Sequence, residues 1–323
     1  MDREVVAWLK QWPPTRYLVL RDLEGRPADD PELLQARAAI PEAEHVRDLL
    51  RGQRGDGGFV GDAYSKWRGA HWRMVTLTHL GLPADNDVGR RATEYVLDRW
   101  TGEGHRRPGS IRRINGRWRR CASQEGNALG VACSMGMADD PRARLLADSL
   151  VEWQWPDGGW NCDKRPEAHH SSFHESFTPM WGLLLYTDAT GDEQKRSAAR
   201  RTAELLLEHR LFRSSTDGSL IHEEWTKLHW PWYWHYDVLA GLDVLRLVDG
   251  ALEDPRAQEA LDLVEQQRRE DGRWRHTGRR YWRPPTASGR SLEVTNWGDR
   301  REPSRPLTLI AMRVLKAAGR LQL

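Results

Sequence analysis

The stretch Gln154-Trp155-Pro156-Asp157-Gly158-Gly159-Trp160 decides how this chain is read, because turns of the same kind return along its length. The other copies are Gly55-Asp56-Gly57-Gly58-Phe59, Asn115-Gly116-Arg117-Trp118, a degenerate Asp217-Gly218-Ser219-Leu220, and Asp271-Gly272-Arg273-Trp274. Self-similarity of this kind marks a repeat architecture, in which each unit buries its apolar face only by stacking on its neighbours. Glycine supplies the positive φ that such a turn needs, and the Asp or Asn side chain bonds nearby backbone. The aromatic that follows is placed to tuck beneath the neighbouring helix.

Working outward, most copies are preceded by an apolar-periodic stretch of good helix formers, as at 142–155, 192–211 and 255–269. These are expected to be outer helices. After each copy comes a polar loop, then a stretch rich in Gly, Ala, Leu and Trp: 66–80, 123–135, 172–186, 233–248 and 306–318. These are expected to be inner helices, whose small residues permit close packing. The alternation predicts an all-α protein built as a single α/α toroid, a ring of helical hairpins. Val5, Val6 and Leu9, then Tyr17, Leu18, Leu20 and Leu23, add an N-terminal hairpin over 1–43 around Pro13-Pro14. The repeat region is 44–319, no linker divides the chain, and one domain spans 1–323. The polar segment 275–306 reads as a lid or an inserted loop.

Charged residues make up 30% of the 323 residues, yet the net charge is only +2, so composition calls for neither a nucleic acid nor an acidic membrane as partner. The three cysteines, Cys121, Cys133 and Cys162, are odd in number and widely spaced, unlike a disulfide framework. No signal-like or membrane-spanning apolar run is present in the sequence, and a cytoplasmic location is expected.

The 154–160 turn resembles the QW motif of squalene and oxidosqualene cyclases, and the stretches 53–59 and 267–274 are looser versions. The resemblance runs over residues 44–319 and is to the terpenoid cyclase and protein prenyltransferase superfamily of α/α toroids. It implies a central aromatic-lined cavity and an apolar, isoprenoid-like small-molecule substrate. Class II cyclases of this superfamily carry an Asp-x-Asp-Asp acid at the start of an inner helix, and this sequence has none. Asp29-Asp30 and Asp139-Asp140 precede prolines and read as helix caps instead.

Aligning the inner helices by their apolar ends places His174-Glu175 where the cyclase acid would fall. A titratable group at a helix start, in a pocket walled by aromatics, is placed for acid–base work. His174, Glu175, His235 and Asp237 are therefore the candidate catalytic residues. His71, Gln124, Glu125 and Tyr236 occupy the same level, and with Trp72 and with Trp232 and Trp234 of the aromatic cluster 230–236 they are candidate substrate-binding residues. The sequence holds 17 Trp, and aromatic faces of this kind stabilise cations or stack on sugars. Most of the Trp residues are expected in turns and helix packing.

A divalent metal such as zinc is a second expectation. His170 and His174 are four apart, and the stretch 233–242 is similar to the one that carries a zinc-binding His in prenyltransferases, which matches His235. The family's Asp and Cys have no counterparts in the preceding repeat, so the set would be His170, His174, Glu175 and His235. Cys162-Asp163 is a further ligand pair to consider. The arginine-rich run 106–120 would suit a diphosphate, or the acidic residues of neighbouring loops. The readings left open are a cyclase-like or prenyltransferase-like enzyme, a metal-dependent enzyme, a carbohydrate lyase or hydrolase, and a binding toroid without catalysis.

Overall fold

Asp30-Pro31, Asp140-Pro141 and Asp254-Pro255 each open a helix in the same way. Proline sets the first helical φ, and the Asp carboxylate accepts the N–H two residues further on, at 2.8–2.9 Å. The expected capping role of Asp30 and Asp140 is thus observed. The computed structural model describes residues 2–107, 109–278 and 294–322. The described chain is mainly helical. Its N-terminal part holds α1 (Asp2–Leu9), α2 (Pro13–Leu18), α3 (Pro31–Ala38), α4 (Glu44–Leu50), α5 (Ala70–His79), α6 (Asp87–Thr101) and α7 (Glu103–Arg106). A short hairpin, β1 (Arg112–Ile114) and β2 (Arg117–Arg119), leads into α8 (Ala122–Ser134), α9 (Pro141–Trp153), α10 (Phe173–Thr190) and α11 (Glu193–Glu208). The chain closes with α12 (Val238–Leu245), α13 (Gln258–Gln266) and α14 (Arg305–Ala317).

The expected inner helices are α5, α8, α10, α12 and α14, and the first four pack against α6, α9, α11 and α13 respectively. Small residues decide how closely α8 and α10 approach. A Cβ at Gly126 would run into the backbone of Pro179, and one at Gly182 into the Gly126 carbonyl. Leu129, Met180, Leu183, Leu239, Leu242 and Leu309 are buried at these interfaces. At the rate of roughly 1.5–3 kcal/mol per fully buried aliphatic side chain, this apolar seam carries much of the fold's stability.

The repeated turns act as fasteners. In the 154–160 copy, Gly158 has φ +93°, and Gln154 Nε2 donates to the Gly158 carbonyl and to the Ala198 carbonyl of α11, each at 2.8 Å. The 53–59 copy repeats this, with Gln53 Nε2 donating to the carbonyls of Gly57 and of Val88 in α6. Trp160 Nε1 donates to Leu150 and Trp274 Nε1 to Val264, in each case the carbonyl ten residues upstream. The Asn115-Gly116 copy differs from expectation. Asn115 and Gly116 take φ +49° and +75°, the pair of positive angles of a two-residue hairpin turn, and join β1 to β2 rather than helix to helix.

The two ends of the chain meet. Helix α14 packs on α2 and on the π-helical turn Val19–Leu23. Arg313 bonds both Asp22 and Asp243, Arg268 bonds Asp2, and Lys316 Nζ donates to the Leu23 carbonyl. Among the described residues no helix is long and apolar enough to cross a membrane. Of the expected lid or inserted loop over 275–306, residues 279–293 lie outside the described residues, as does Pro108 in the arginine-rich run.

Candidate active site

The first turn of α10 sends its two titratable residues to different places, since consecutive helix residues point about 100° apart. His174 faces the segment before α12. Its Nδ1 accepts the Tyr236 backbone N–H at 2.8 Å, and its ring meets Trp225 and Trp234 edge-on. Burial, with His229 and His222 nearby, pushes its pKa down to about 4, so the ring is neutral near pH 7. An accepting Nδ1 on a neutral ring places the proton on Nε2.

Asp237 is fully buried at the N-cap of α12. One oxygen accepts the Ala240 N–H at 2.8 Å, and the other accepts both the backbone N–H of His229 at 2.9 Å and its Nδ1–H at 2.7 Å. The carboxylate therefore fixes the ring orientation and tautomer of His229 and leaves Nε2 as its basic atom. His235 stacks on Trp234 with ring centroids 3.9 Å apart and lies 6.0 Å from His174 and 6.3 Å from His229. His174, His229 and His235, with His222, Trp225 and Tyr236, line one cavity of about 250 Å³. Three of the four candidate catalytic residues thus converge, with Asp237 acting through His229. His229 itself escaped the sequence reading, since no motif ties it to an Asp eight residues on.

Glu175 points the other way, between α8 and the loop after the 154–160 turn. Its Oε2 accepts the Ser123 N–H at 3.0 Å, and its Oε1 lies 3.6 Å from Cys162 Sγ. Cys121, at the cap position of α8, completes the group, and the donor atoms of all three residues lie within 4.8 Å of one another. Burial, reinforced by the neighbouring Cys162, pushes the Glu175 carboxyl up to about 8. The hydrogen bond between the two thiols raises Cys121 and lowers Cys162.

The expected metal set is corrected by this geometry. His170 is exposed in the loop before α10, which starts only at Phe173, so it shares no helix face with His174. Glu175 faces the cysteines, and His174 and His235 face the histidine cavity. Among the described residues, the group of three or more His, Cys, Asp and Glu donors within metal-binding reach is Cys121, Cys162 and Glu175. Cys162 was a candidate ligand in sequence, whereas Cys121 was not.

The candidate substrate-binding residues scatter. His71 is buried, accepts the Trp100 indole N–H at 3.0 Å on Nδ1, and is pushed by burial to a pKa of about 3. Trp72 donates to the Tyr64 carbonyl and packs edge-on against Trp67, which stacks on Tyr233 at 4.1 Å between centroids. Glu125 is buried in an ion cluster with Arg120 and His105, a structural pairing. Gln124 is half-buried beside Tyr64. Tyr236 lines the histidine cavity, its hydroxyl spent on the Leu211 carbonyl at 2.8 Å, whereas Trp234 stacks on His235 without lining it. The arginine-rich run is also divided: Arg106 bonds Ser149, Arg119 the Ala168 carbonyl, and Arg120 Glu125.

Trp232 walls a second cavity of about 300 Å³, which lies among α5, α8, α10, α12 and α14. Phe177, Trp181, Leu185, Val244 and Leu247 form its apolar wall, and Asp22, Asp243, Arg246 and Arg313 its charged rim. Gly130 seats the Trp181 indole, since any Cβ there would overlap the ring. Glu175 sits about one helical turn above Thr178, which lines this chamber, so the carboxyl is offset from it.

No family model and no curated protein matches the chain. Among solved structures, it is similar to a type II terpene cyclase, MstE from Scytonema. The apo form is 16% identical with a TM-score of 0.29, covering 86% of this chain and 97% of that one. A variant in complex with geranylgeranyl dihydroxybenzoate is 15% identical with a TM-score of 0.31, covering 86% and 96%. A superposition this loose carries no argument about fold or reaction, which rest on this chain's own residues.

Proposed function

We propose that the protein is an enzyme on an α/α toroid that performs acid–base chemistry on an apolar, isoprenoid-like small molecule. The observation that carries this reading is the Asp237–His229 pair at a cavity shared with His174 and His235. A carboxylate on Nδ1 holds an imidazole in the tautomer whose Nε2 accepts a proton and stabilises the imidazolium that results. His174, neutral with its proton on Nε2, supplies a complementary donor across the same cavity. The aromatic chamber supports the apolar substrate class. Trp232 lines that chamber and His235 lines the histidine cavity, so one short segment walls both.

The test uses farnesol and geranylgeraniol as binding probes and their diphosphates as trial substrates. Binding is followed by quenching of tryptophan fluorescence and products by mass spectrometry. Gly130→Ala, which displaces Trp181 into the chamber, is expected to weaken probe binding at least ~10-fold, the scale of losing one well-packed apolar contact. His229→Gln is expected to leave probe binding intact and to lower turnover by about 100-fold or more, the usual contribution of a positioned base. Unchanged turnover in His229→Gln, or failure of every probe to bind, would defeat the proposal.

A further inference from the structure

Cys121, Cys162 and Glu175 come from three separate places in the chain: the cap of α8, the loop after the 154–160 turn, and the first turn of α10. The fold brings them together with their donor atoms inside 4.8 Å. Glu175 is buried, and among the described residues its side chain meets the Ser123 N–H and Cys162 rather than a Lys, Arg or His. Two thiols and a carboxyl in one desolvated space are costly to ionise unless a cation joins them. The carboxylate is also held from behind, its Oε2 on the Ser123 N–H, which leaves Oε1 toward the sulfurs. Backbone support of this kind is how proteins orient metal ligands.

The spacing suits a tetrahedral ion. With Zn–S about 2.3 Å and Zn–O about 2.0 Å, tetrahedral geometry puts a sulfur and an oxygen roughly 3.5 Å apart and two sulfurs roughly 3.8 Å apart. Cys162 Sγ and Glu175 Oε1 already stand 3.6 Å apart. Two thiolates select against magnesium and calcium, which take all-oxygen sites. We propose that Cys121, Cys162 and Glu175 form a zinc site with a fourth coordination position left to water or a substrate atom. Three protein ligands with one open position is the pattern of catalytic rather than structural zinc. Both cysteines are half-buried rather than sealed, which gives the ion a path in. This site is separate from the histidine cavity, and its test reads metal rather than turnover, so the two proposals fail independently.

Protein purified under reducing conditions without chelator is assayed for zinc, and apo protein is titrated with cobalt(II) chloride to detect thiolate-to-metal charge-transfer absorption. Wild type and Cys133→Ser are expected to hold about one zinc per chain, and Cys121→Ser, Cys162→Ser and Glu175→Gln at least ~10-fold less. Should the serine variants fail to fold, alkylation of the wild type decides. Iodoacetamide is expected to label Cys121 and Cys162 at least ~10-fold more slowly with zinc than after EDTA treatment, with Cys133 unaffected. Wild-type protein without zinc, zinc retained in both serine variants, labelling insensitive to zinc, or a Cys121–Cys162 disulfide that replaces metal would each overturn the assignment.

Discussion

One carboxylate oxygen of Asp237 accepts two hydrogen bonds from His229, from its backbone N–H and from its ring Nδ1–H. The other oxygen caps α12 through Ala240. Orientation of the imidazole and the start of the helix therefore depend on the same side chain. Asp237→Asn presents an amide with one acceptor oxygen, so it cannot serve both duties. Its stability is expected to fall by about 1–2 kcal/mol, the scale of a lost cap. Turnover is expected to fall further than His174→Gln lowers it, because the His229 tautomer is released. Urea unfolding and kcat measured on the same preparations separate the two effects.

The 154–160 turn gives a backbone test. Gly158 has φ +93°, and a Cβ there would overlap the Arg201 carbonyl of α11, whereas Gly218 has φ +71° with open space around it. Gly218→Ala is expected to cost about 1–2 kcal/mol for the left-handed backbone alone. Gly158→Ala adds a clash with main chain that cannot rotate away, and is expected to cost at least about 1 kcal/mol more than Gly218→Ala. Equal losses in thermal unfolding would remove the fastening role assigned to this turn.

Acid sensitivity follows from buried imidazoles. Burial holds His71 neutral down to a pKa of about 3 and His79 down to about 4. As pH falls below the ordinary histidine value near 6.5, the unfolded chain takes up protons that the folded chain refuses, so stability drops. The loss is expected to run from about pH 6.5 toward pH 4, at up to ~1.4 kcal/mol per pH unit for each histidine. His71→Gln retains an acceptor for the Trp100 indole. It is expected to lose about 2 kcal/mol less than wild type between pH 7 and pH 5 in urea titrations.

At the chamber rim, Arg313 Nε donates to Asp243 Oδ1 at 2.7 Å, and Arg246 Nε bonds the same carboxylate at 2.8 Å. Burial alone would raise the Asp243 pKa, and the two arginines outweigh it and hold the carboxyl well below the usual range. Arg313→Met is expected to cost about 3–5 kcal/mol by leaving a buried carboxylate underpaired. The double variant Asp243→Leu/Arg313→Met should be closer to wild type than that single variant. Strict additivity of the two losses would show that they do not act as a pair.

How much of this was legible in the sequence depends on the distance over which residues act. The turns and the helices that follow them were readable because glycine conformation, capping and apolar period are local properties. Pairing of Asp30 and Asp140 with the prolines that follow them predicted two helix starts correctly. Asn115-Gly116 was misassigned because the same dipeptide serves a β-hairpin, and three-residue strands leave little alternation to detect. His174 and Glu175 were singled out together, yet adjacency in a helix sends them to different neighbours. Cys121 and Cys162 meet because the segment leading into α8 bridges the loop after the 154–160 turn, with the Arg120 N–H donating to the Asn161 carbonyl at 3.1 Å. His229 was invisible for the same reason, since its importance comes from a carboxylate that folding brings to it.

Arg313 of α14 bonds Asp22, in the turn after α2, and Asp243 of α12, and all three residues line the aromatic chamber. The contact between α14 and the N-terminal segment is held by side chains and packing rather than by peptide bonds. The strength of that contact is therefore set by the Arg313–Asp22 pair and by the packing of α14 on α2. Because these side chains are largely withdrawn from solvent, added salt would loosen this contact less than it loosens the exposed ion pairs elsewhere on the surface.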